Sequence, residues 1–269
     1  MGVTALYSAA TGMKAQFVKI DVISNNLANV NTTAYKKVRA NFQDLLYQRL
    51  SPSGAVDAEN NRTPSETVVG LGVRLVNTQR SFTEGRLENT GRKLDIAIQG
   101  TGFLQVQLPE SMGRGGLGYT RDGNLYVDAD GQLVTAQGYK VMPNMSLLKD
   151  RIEDSINIAA DGTVSVGTPG TTALTQVGQL ELAGFINMEG LESVGQNLYI
   201  ETDASGAPTT GTPGTSNFGT IIQGHLESSN VELVEELSEM IQTQRALEFN
   251  SQSMRTADEM LQTLSTLRR

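Results

Sequence analysis

The apolar positions at the two ends of the chain recur on a helical period, whereas those in the middle alternate. Near the N-terminus Leu6, Met13, Ile20 and Leu27 stand seven residues apart, with Ala9, Ala10, Phe17, Ile23, Ser24 and Val30 in adjoining positions. This is an apolar face of heptad type and predicts a long helix. Toward the C-terminus the row is Leu233, Met240, Leu247, Met254 and Leu261, widened by Leu237, Ala257 and Leu264. Ser229 and Glu232 have the spacing of a capping box, so this second helix is expected to start at Ser229. Running on to Leu267, it would measure about 55 Å at 1.5 Å per residue, too long to bury itself in one small domain.

The middle reads as strands and turns. In "YTRDGNLYVDADGQLVTAQGYKVMP" the apolar residues Tyr119, Leu125, Val127, Leu133 and Val141 are punctuated by Asp122-Gly123 and Asp130-Gly131. "KLDIAIQGTGFLQVQL", "INIAADGTVSVG" and "GQLELAGFIN" are further strand candidates, and residues 203–217 read as a loop. All prolines lie between Pro52 and Pro213, and no glycine follows Gly224. Because Gly and Pro punctuate helices and supply turns, the plan is helix, β, helix. The expected fold class is α+β, with the terminal helices packing as a coiled-coil-like pair and an elongated, mostly antiparallel β middle.

Charge supports the pairing of the ends. Residues 1–50 carry a net charge of +4 and residues 227–269 a net charge of −4. Opposite charge on two apolar helices predicts that they pack together, within a chain, between chains, or both. The asparagines at 25, 26, 29 and 31 interrupt the helical composition. With Leu27 at heptad position a, Asn26 falls at g, Asn25 at f and Asn29 at c, off the apolar stripe. Their amides are expected either to face water or to hydrogen-bond between packed subunits, the second being the preferred reading.

The whole chain has a formal charge of −8, which is not the electrostatic footprint of a nucleic-acid binder. There is no cysteine, which excludes disulfides, thiolate catalysis and Cys-based metal sites. No apolar run is long enough for a transmembrane helix, so no membrane insertion is predicted, and the first twenty residues predict no cleaved secretory signal. "GRGGLG" at 113–118 matches a dinucleotide fingerprint literally, yet strand-like sequence follows it where a helix N-terminus is needed. "DADG" at 128–131 lacks the twelfth-position Glu of a calcium loop and reads as a β-turn. His225 is the one histidine and has no nucleophile motif near it. No catalytic residue, cofactor or metal is predicted.

The two ends carry the strongest signal. "VISNNLANVNTTAYKK" resembles the N-terminal signature of the flagellar rod and hook axial proteins, and "NVELVEELSEMIQTQRALEFNSQSMRTADEMLQTL" resembles their C-terminal signature. "DLLYQRL", "LDIAIQGTGFLQV" and "GLESVGQNLYIET" are similar to the distal-rod branch of that family, so the resemblance covers nearly the whole chain. It departs at Ala34-Tyr35, where the family commonly has Gly-Phe, and at Leu247, where an aromatic is usual. An alanine at position 34 restricts the backbone where glycine permits positive φ.

The resemblance implies a non-enzymatic, self-assembling subunit of the distal rod, a hollow helical shaft that transmits torque from motor to hook and encloses the export channel. It implies residues 1–35 and 227–269 as the inner tube. Residues 36–95 and 200–226 would be a connecting β region with an arm at about 46–70, and residues 96–199 an outer β domain. Implied partners are further copies of the chain, proximal rod proteins, the hook protein, the P-ring and L-ring proteins, and the type III export apparatus. The implied location is the basal body, in the rod crossing the periplasm, reached without a cleaved signal. The expected subunit-interface residues are Leu6, Met13, Phe17, Ile20, Asn25, Asn26, Leu27 and Asn29 on the first helix. On the second they are Leu233, Leu237, Met240, Leu247, Met254, Leu261 and Leu264. The remaining readings are a proximal-rod or hook subunit and, from another class, a secreted β-rich binding module or hydrolase using His225.

Overall fold

The computed structural model describes residues 2–51, 65–109, 112, 114–145, 156–167, 174–215 and 217–267. The chain is α+β: helix α1 (Gly2–Ala28) opens it, helix α2 (Leu233–Leu267) closes it, and strands occupy the middle. Every strand pairing among the described residues is antiparallel. The chain divides into two compact units, one of Met1–Ala28, Val38–Arg80 and Glu232–Arg269, the other of Asn29–Lys37 and Ser81–Val231.

The first unit joins the two helices to a β-ribbon. Strand β1 (Val38–Asp44) pairs with β4 (Val73–Arg80), and beyond it β2 (Tyr47–Ser51) pairs with β3 (Thr67–Gly70). The Leu45 amide, donating to Gly72 O at 2.9 Å, keeps the two pairings continuous. The ribbon abuts α1 at Gly72, where φ is 108° and an added Cβ would sit 2.1 Å from Thr11 Oγ1. Only glycine fits there, on both conformational and steric grounds. Of the arm expected at about 46–70, residues 52–64 lie outside the described residues; the remainder forms β2, β3 and their flanks.

The second unit holds the apolar core. Among the described residues its main sheet has nine strands, centred on Phe103–Gln107, which pairs with Leu117–Thr120, Lys140–Val141 and Leu182–Gly184. A three-stranded sheet of Ile156–Ile158, Thr163–Gly167 and Leu174–Gln179 and the pair Thr220–Gln223 with Ile96–Gln99 complete the layers that close on Leu104, Val106, Leu125, Ile158, Val164 and Leu182. A second cluster stacks Phe103, Tyr119 and Tyr199 with Phe82 and Phe185, edge to face at centroid distances of 4.7–6.0 Å. Such aromatic pairs contribute about 0.5–1.5 kcal/mol each beyond area burial. The alternation read from the sequence is what builds these sheets, because period-two side chains deliver one apolar face to each layer.

Four local expectations are revised. Residues 203–217 are not wholly loop, since Thr209–Gly211 pairs with Leu182–Gly184. Helix α2 begins at Leu233 rather than Ser229, and Ser229 Oγ accepts from the Val231 amide instead of capping at Glu232. The cause is Asn230, whose amide donates to Ser81 O, Thr83 O and Thr83 Oγ1 and accepts from the Lys37 N–H, holding the chain off the helical path. Ala34 takes positive φ, 55°, as the family glycine would. Asn26 is buried rather than off the packed face.

Candidate subunit interface

Both helices lie in the first unit and run antiparallel to each other: Gly12 meets Asn250, Lys19 pairs with Glu239 at 2.8 Å, and Asn26 donates to Glu236 at 3.2 Å. Each helix therefore has a face committed within the chain. On α2 this face follows Glu236, Thr243 and Asn250 at seven-residue steps, with Met240, Leu247, Met254 and Leu261 beside them, all half-buried. On α1 Ile23 and Asn26 are buried, and Leu6, Met13, Ile20 and Leu27 half-buried. Leu6, Tyr7, Ala10, Met13, Ser251 and Met254 line a shallow groove between the helices.

Asn26 shows what one of the clustered amides does. Its Oδ1 accepts from the Val38 N–H at 3.0 Å, and its Nδ2 donates to Val38 O at 2.8 Å and to Glu236. One amide thus replaces a missing β-ladder partner at the start of β1 and bonds across to α2, which suits a side chain that donates and accepts at once. Asn25 is exposed, and Asn29 is half-buried with its Oδ1 accepting from Thr32 Oγ1.

The opposite faces are apolar and uncovered. Val234 is 73 % exposed, Phe249 67 %, Ile241 58 % and Phe17 56 %; Leu233 and Leu237 are exposed as well. The side chain of Leu264 lies outside the described residues. The expected interface residues thus fall into two groups: a seam used within the chain, and Phe17, Leu233 and Leu237 on open faces. Val234, Ile241 and Phe249 extend the open face of α2 and were missed because they lie off the heptad row, although each is large, apolar and on a predicted helix.

The second unit contains a polar feature that no local motif announces. Glu227 is fully buried between Lys36 and Arg121: Lys36 Nζ donates to its Oε1 at 2.5 Å and Arg121 Nε to its Oε2 at 2.8 Å. The Gly85 amide also donates to Oε1, Lys36 Nζ donates to Thr83 O, and Arg121 to the carbonyls of Ile98, Gly100 and Gly102. Burial alone would raise the Glu227 pKa, but Arg121 and Lys36 together outweigh it and hold the carboxyl below its usual range. Burial, with Arg121 next, lowers the Lys36 pKa, as expected of the second cation beside a single carboxylate. The Ala34 amide donates to Glu227 O at 2.7 Å, so the segment that follows α1 and the segment that precedes α2 are fastened at one buried point.

The enzyme readings find no support in placement. His225 sits on the short strand His225–Glu227, its Nδ1 3.0 Å from Gln223 O. In "GRGGLG", Gly113 lies outside the described residues, and Arg114–Gly116 leads into strand Leu117–Thr120 rather than a helix. "DADG" forms the turn expected of it, with the Gly131 amide donating to Asp128 O. Among the described residues no group of three or more His, Asp or Glu is placed to hold a metal, and no helix is long and apolar enough to cross a membrane.

The β unit has its own core, and the two helices keep exposed apolar outer faces, a surface of the kind that structural proteins use to assemble. Comparison with known families specifies which. The family described as flagella basal body rod protein matches residues 6–36, the flagellar hook protein FlgE/F/G D1 domain residues 97–166, and the flagellar basal body rod FlgEFG protein C-terminal region residues 222–267. The chain is 46% identical over 265 residues to the flagellar basal-body rod protein FlgG of Buchnera aphidicola subsp. Acyrthosiphon pisum, covering 98% of this chain and 100% of that one. It is 43% identical over 265 residues to FlgG of Borreliella burgdorferi, covering 98% of each, and 39% identical over 269 residues to FlgG of Bacillus subtilis, covering 98% and 99%. The chain belongs to the FlgG family of flagellar basal-body rod proteins, a structural, non-enzymatic family.

Proposed function

We propose that this chain is the repeating subunit of the distal rod, self-assembling into a hollow helical shaft that transmits torque from motor to hook and encloses the export channel. The observation that carries the reading is the open apolar face of α2, with Val234, Ile241 and Phe249 uncovered on a helix already paired along its other side. Exposed apolar surface of this extent on a soluble chain marks a protein contact. A contact between different faces of identical subunits, when its rotation does not close into a ring, propagates as an open helical array. In the assembly residues 1–35 and 227–269 form the inner tube, with α1 and α2 paired in coiled-coil fashion. Residues 36–95 and 200–226 form a connecting layer, and residues 96–199 the outer one. The arm at about 46–70 reaches neighbouring copies, for which Leu46, Tyr47 and Leu50, on or beside the β2–β3 pair, supply apolar surface. Two-stranded ribbons are marginal by themselves, which favours such a reach.

The proximal rod proteins and the hook protein lie at the two ends of this shaft, and the P-ring and L-ring proteins surround it. Subunits pass through the type III export apparatus without a cleaved signal and join the rod where it crosses the periplasm. Complementation tests the reading: in a motile bacterium deleted for its own FlgG, this chain restores rods, and labelling places it between the proximal rod and the hook. Full-length rods from which the chain is absent would refute it. Val234→Asp and Phe249→Asp, on the open face of α2, are expected to abolish incorporation, and normal motility in both would remove that face from the interface.

A further inference from the structure

We infer that the outer face at the start of α2 docks on the β1–β4 ribbon of a second copy, head to tail; this rests on the self-assembly reading above. The ribbon presents Arg39 and Arg74 on its outer face, locked into a ladder of neutral amides. Arg39 Nε donates to Gln79 Oε1 at 2.9 Å, Asn41 to Asn77 Oδ1 at 2.9 Å, and Arg74 Nη2 to Gln43 Oε1 at 3.2 Å. The two guanidinium groups are thus fixed in position but bonded to no carboxylate among the described residues. Side chains already immobilised lose little entropy on binding. Between them, Val76 occupies the bulge opposite Asn41 and Phe42, 56 % exposed.

The first turns of α2 carry the complementary pattern. Glu232, Glu235 and Glu239 line a polar groove with Ser238 and Gln242, beside the exposed Val234 and Ile241. Glu232 makes no ion pair among the described residues. Two positive charges around an apolar centre on the ribbon therefore match Glu232 and Glu235 beside Val234 on the helix, Glu239 being paired with Lys19 of its own chain. The lengths agree as well. Four ladder steps between the Arg39 and Arg74 rows span about 13 Å, and the ten steps from Glu232 to Gln242 rise about 15 Å. Charge patterns of this kind fix register and steer encounter more than they add affinity. Head to tail, each contact uses the helix face of one copy and the ribbon face of the next, leaving one of each free to extend the array.

The absence of cysteine makes the test clean. The double variant Val76→Cys and Val234→Cys is expressed in a motile strain lacking its own FlgG, and basal bodies are isolated and oxidised. A ladder of disulfide-linked multimers is expected from the double variant, none from either single variant, and dimers alone when the two singles are co-expressed. Basal bodies that contain the double variant but give no ladder overturn the docking while leaving rod membership intact; wild-type chain missing from the rods overturns the proposed function instead. Cross-linking of the Val234→Cys single variant to itself overturns the head-to-tail arrangement. Charge reversal supplies a second arm: Glu232→Arg and Arg74→Glu each cut rod incorporation at least tenfold, and co-expression of the two restores it. Failure to restore, with both variants exported and their β units melting normally, contradicts the contact.

Discussion

The two units of this chain spend their apolar residues in opposite ways. In the β unit Leu94, Ile96, Ile98, Phe103, Leu104, Leu125, Leu180 and Leu182 are almost entirely buried. In the unit of helices and ribbon Ile23 is the one buried large apolar side chain among the described residues, while Tyr7, Phe17, Val234, Ile241, Phe249 and Met260 are exposed. The difference teaches where stability comes from. The β unit draws on its own burial, and the helical unit is left with apolar surface that only another chain can remove from water. On the proposed assembly, order in the helices is expected to be coupled to association, as in segments that fold on binding.

Substitution can break this contrast at several points. The largest effect is expected at Glu227: Glu227→Gln leaves Lys36 and Arg121 buried without their counter-charge, a loss of about 3–5 kcal/mol as seen when one partner of a buried pair is removed. The check is denaturant unfolding followed by the tyrosine signal of the β unit. Next is a pair of truncations. Leu182→Ala should cost the monomer about 2–5 kcal/mol through the cavity it leaves. Phe249→Ala should change monomer stability by no more than about 0.5 kcal/mol, the usual range at surface sites, yet block entry into the rod. Equal monomer costs for the two would erase the distinction between the units.

Acid titration sharpens the contrast further. The Glu227 pKa is depressed in the folded chain, so its contribution is present above the ordinary carboxyl range, near 4.5, and is lost as pH falls through the folded value. Asp122 has the opposite sign: burial, with Asp95 adding, raises its pKa. Its ionised form opposes folding near neutral pH, and that penalty is relieved on acidification. Melting of the β unit below pH 4 should therefore be less acid-sensitive in Glu227→Gln than in the parent, while Asp122→Asn should melt higher than the parent at pH 7. The smallest effect is expected at Ala34. Glycine there relieves about 1–2 kcal/mol of left-handed strain, but loses about 0.8 kcal/mol of methyl burial and about 0.5–1 kcal/mol through its freer unfolded chain. Ala34→Gly should melt within a degree or two of the parent, which explains how alanine is tolerated at this turn.

The sequence displayed much of the fold because its signals are local. Two heptad rows announced the helices, and alternating apolar residues with Asp-Gly turns announced the sheets. The misplaced start of α2 shows the limit: Ser229 and Glu232 have a capping spacing, but Asn230 is held by Ser81 and Thr83, far away in the chain. The same applies to the buried ion cluster, whose partners stand 106 and 191 positions apart. Lys36 and Arg121 look like surface cations until the fold brings Glu227 between them. On the helices the heptad row marked the seam within the chain, whereas the open face carries Val234, Ile241 and Phe249 at other positions. Periodicity reveals that a face packs, but not which neighbour it packs against.

Hydrogen exchange on the dilute monomer tests the central claim most directly. Slow exchange is expected throughout Ile96–Gln107 and Leu117–Thr120, with exchange near the rate of free peptide over most of α1 and α2, and protection of both helices appearing only in assembled rods. Helices protected in the monomer as strongly as the β core would contradict the account.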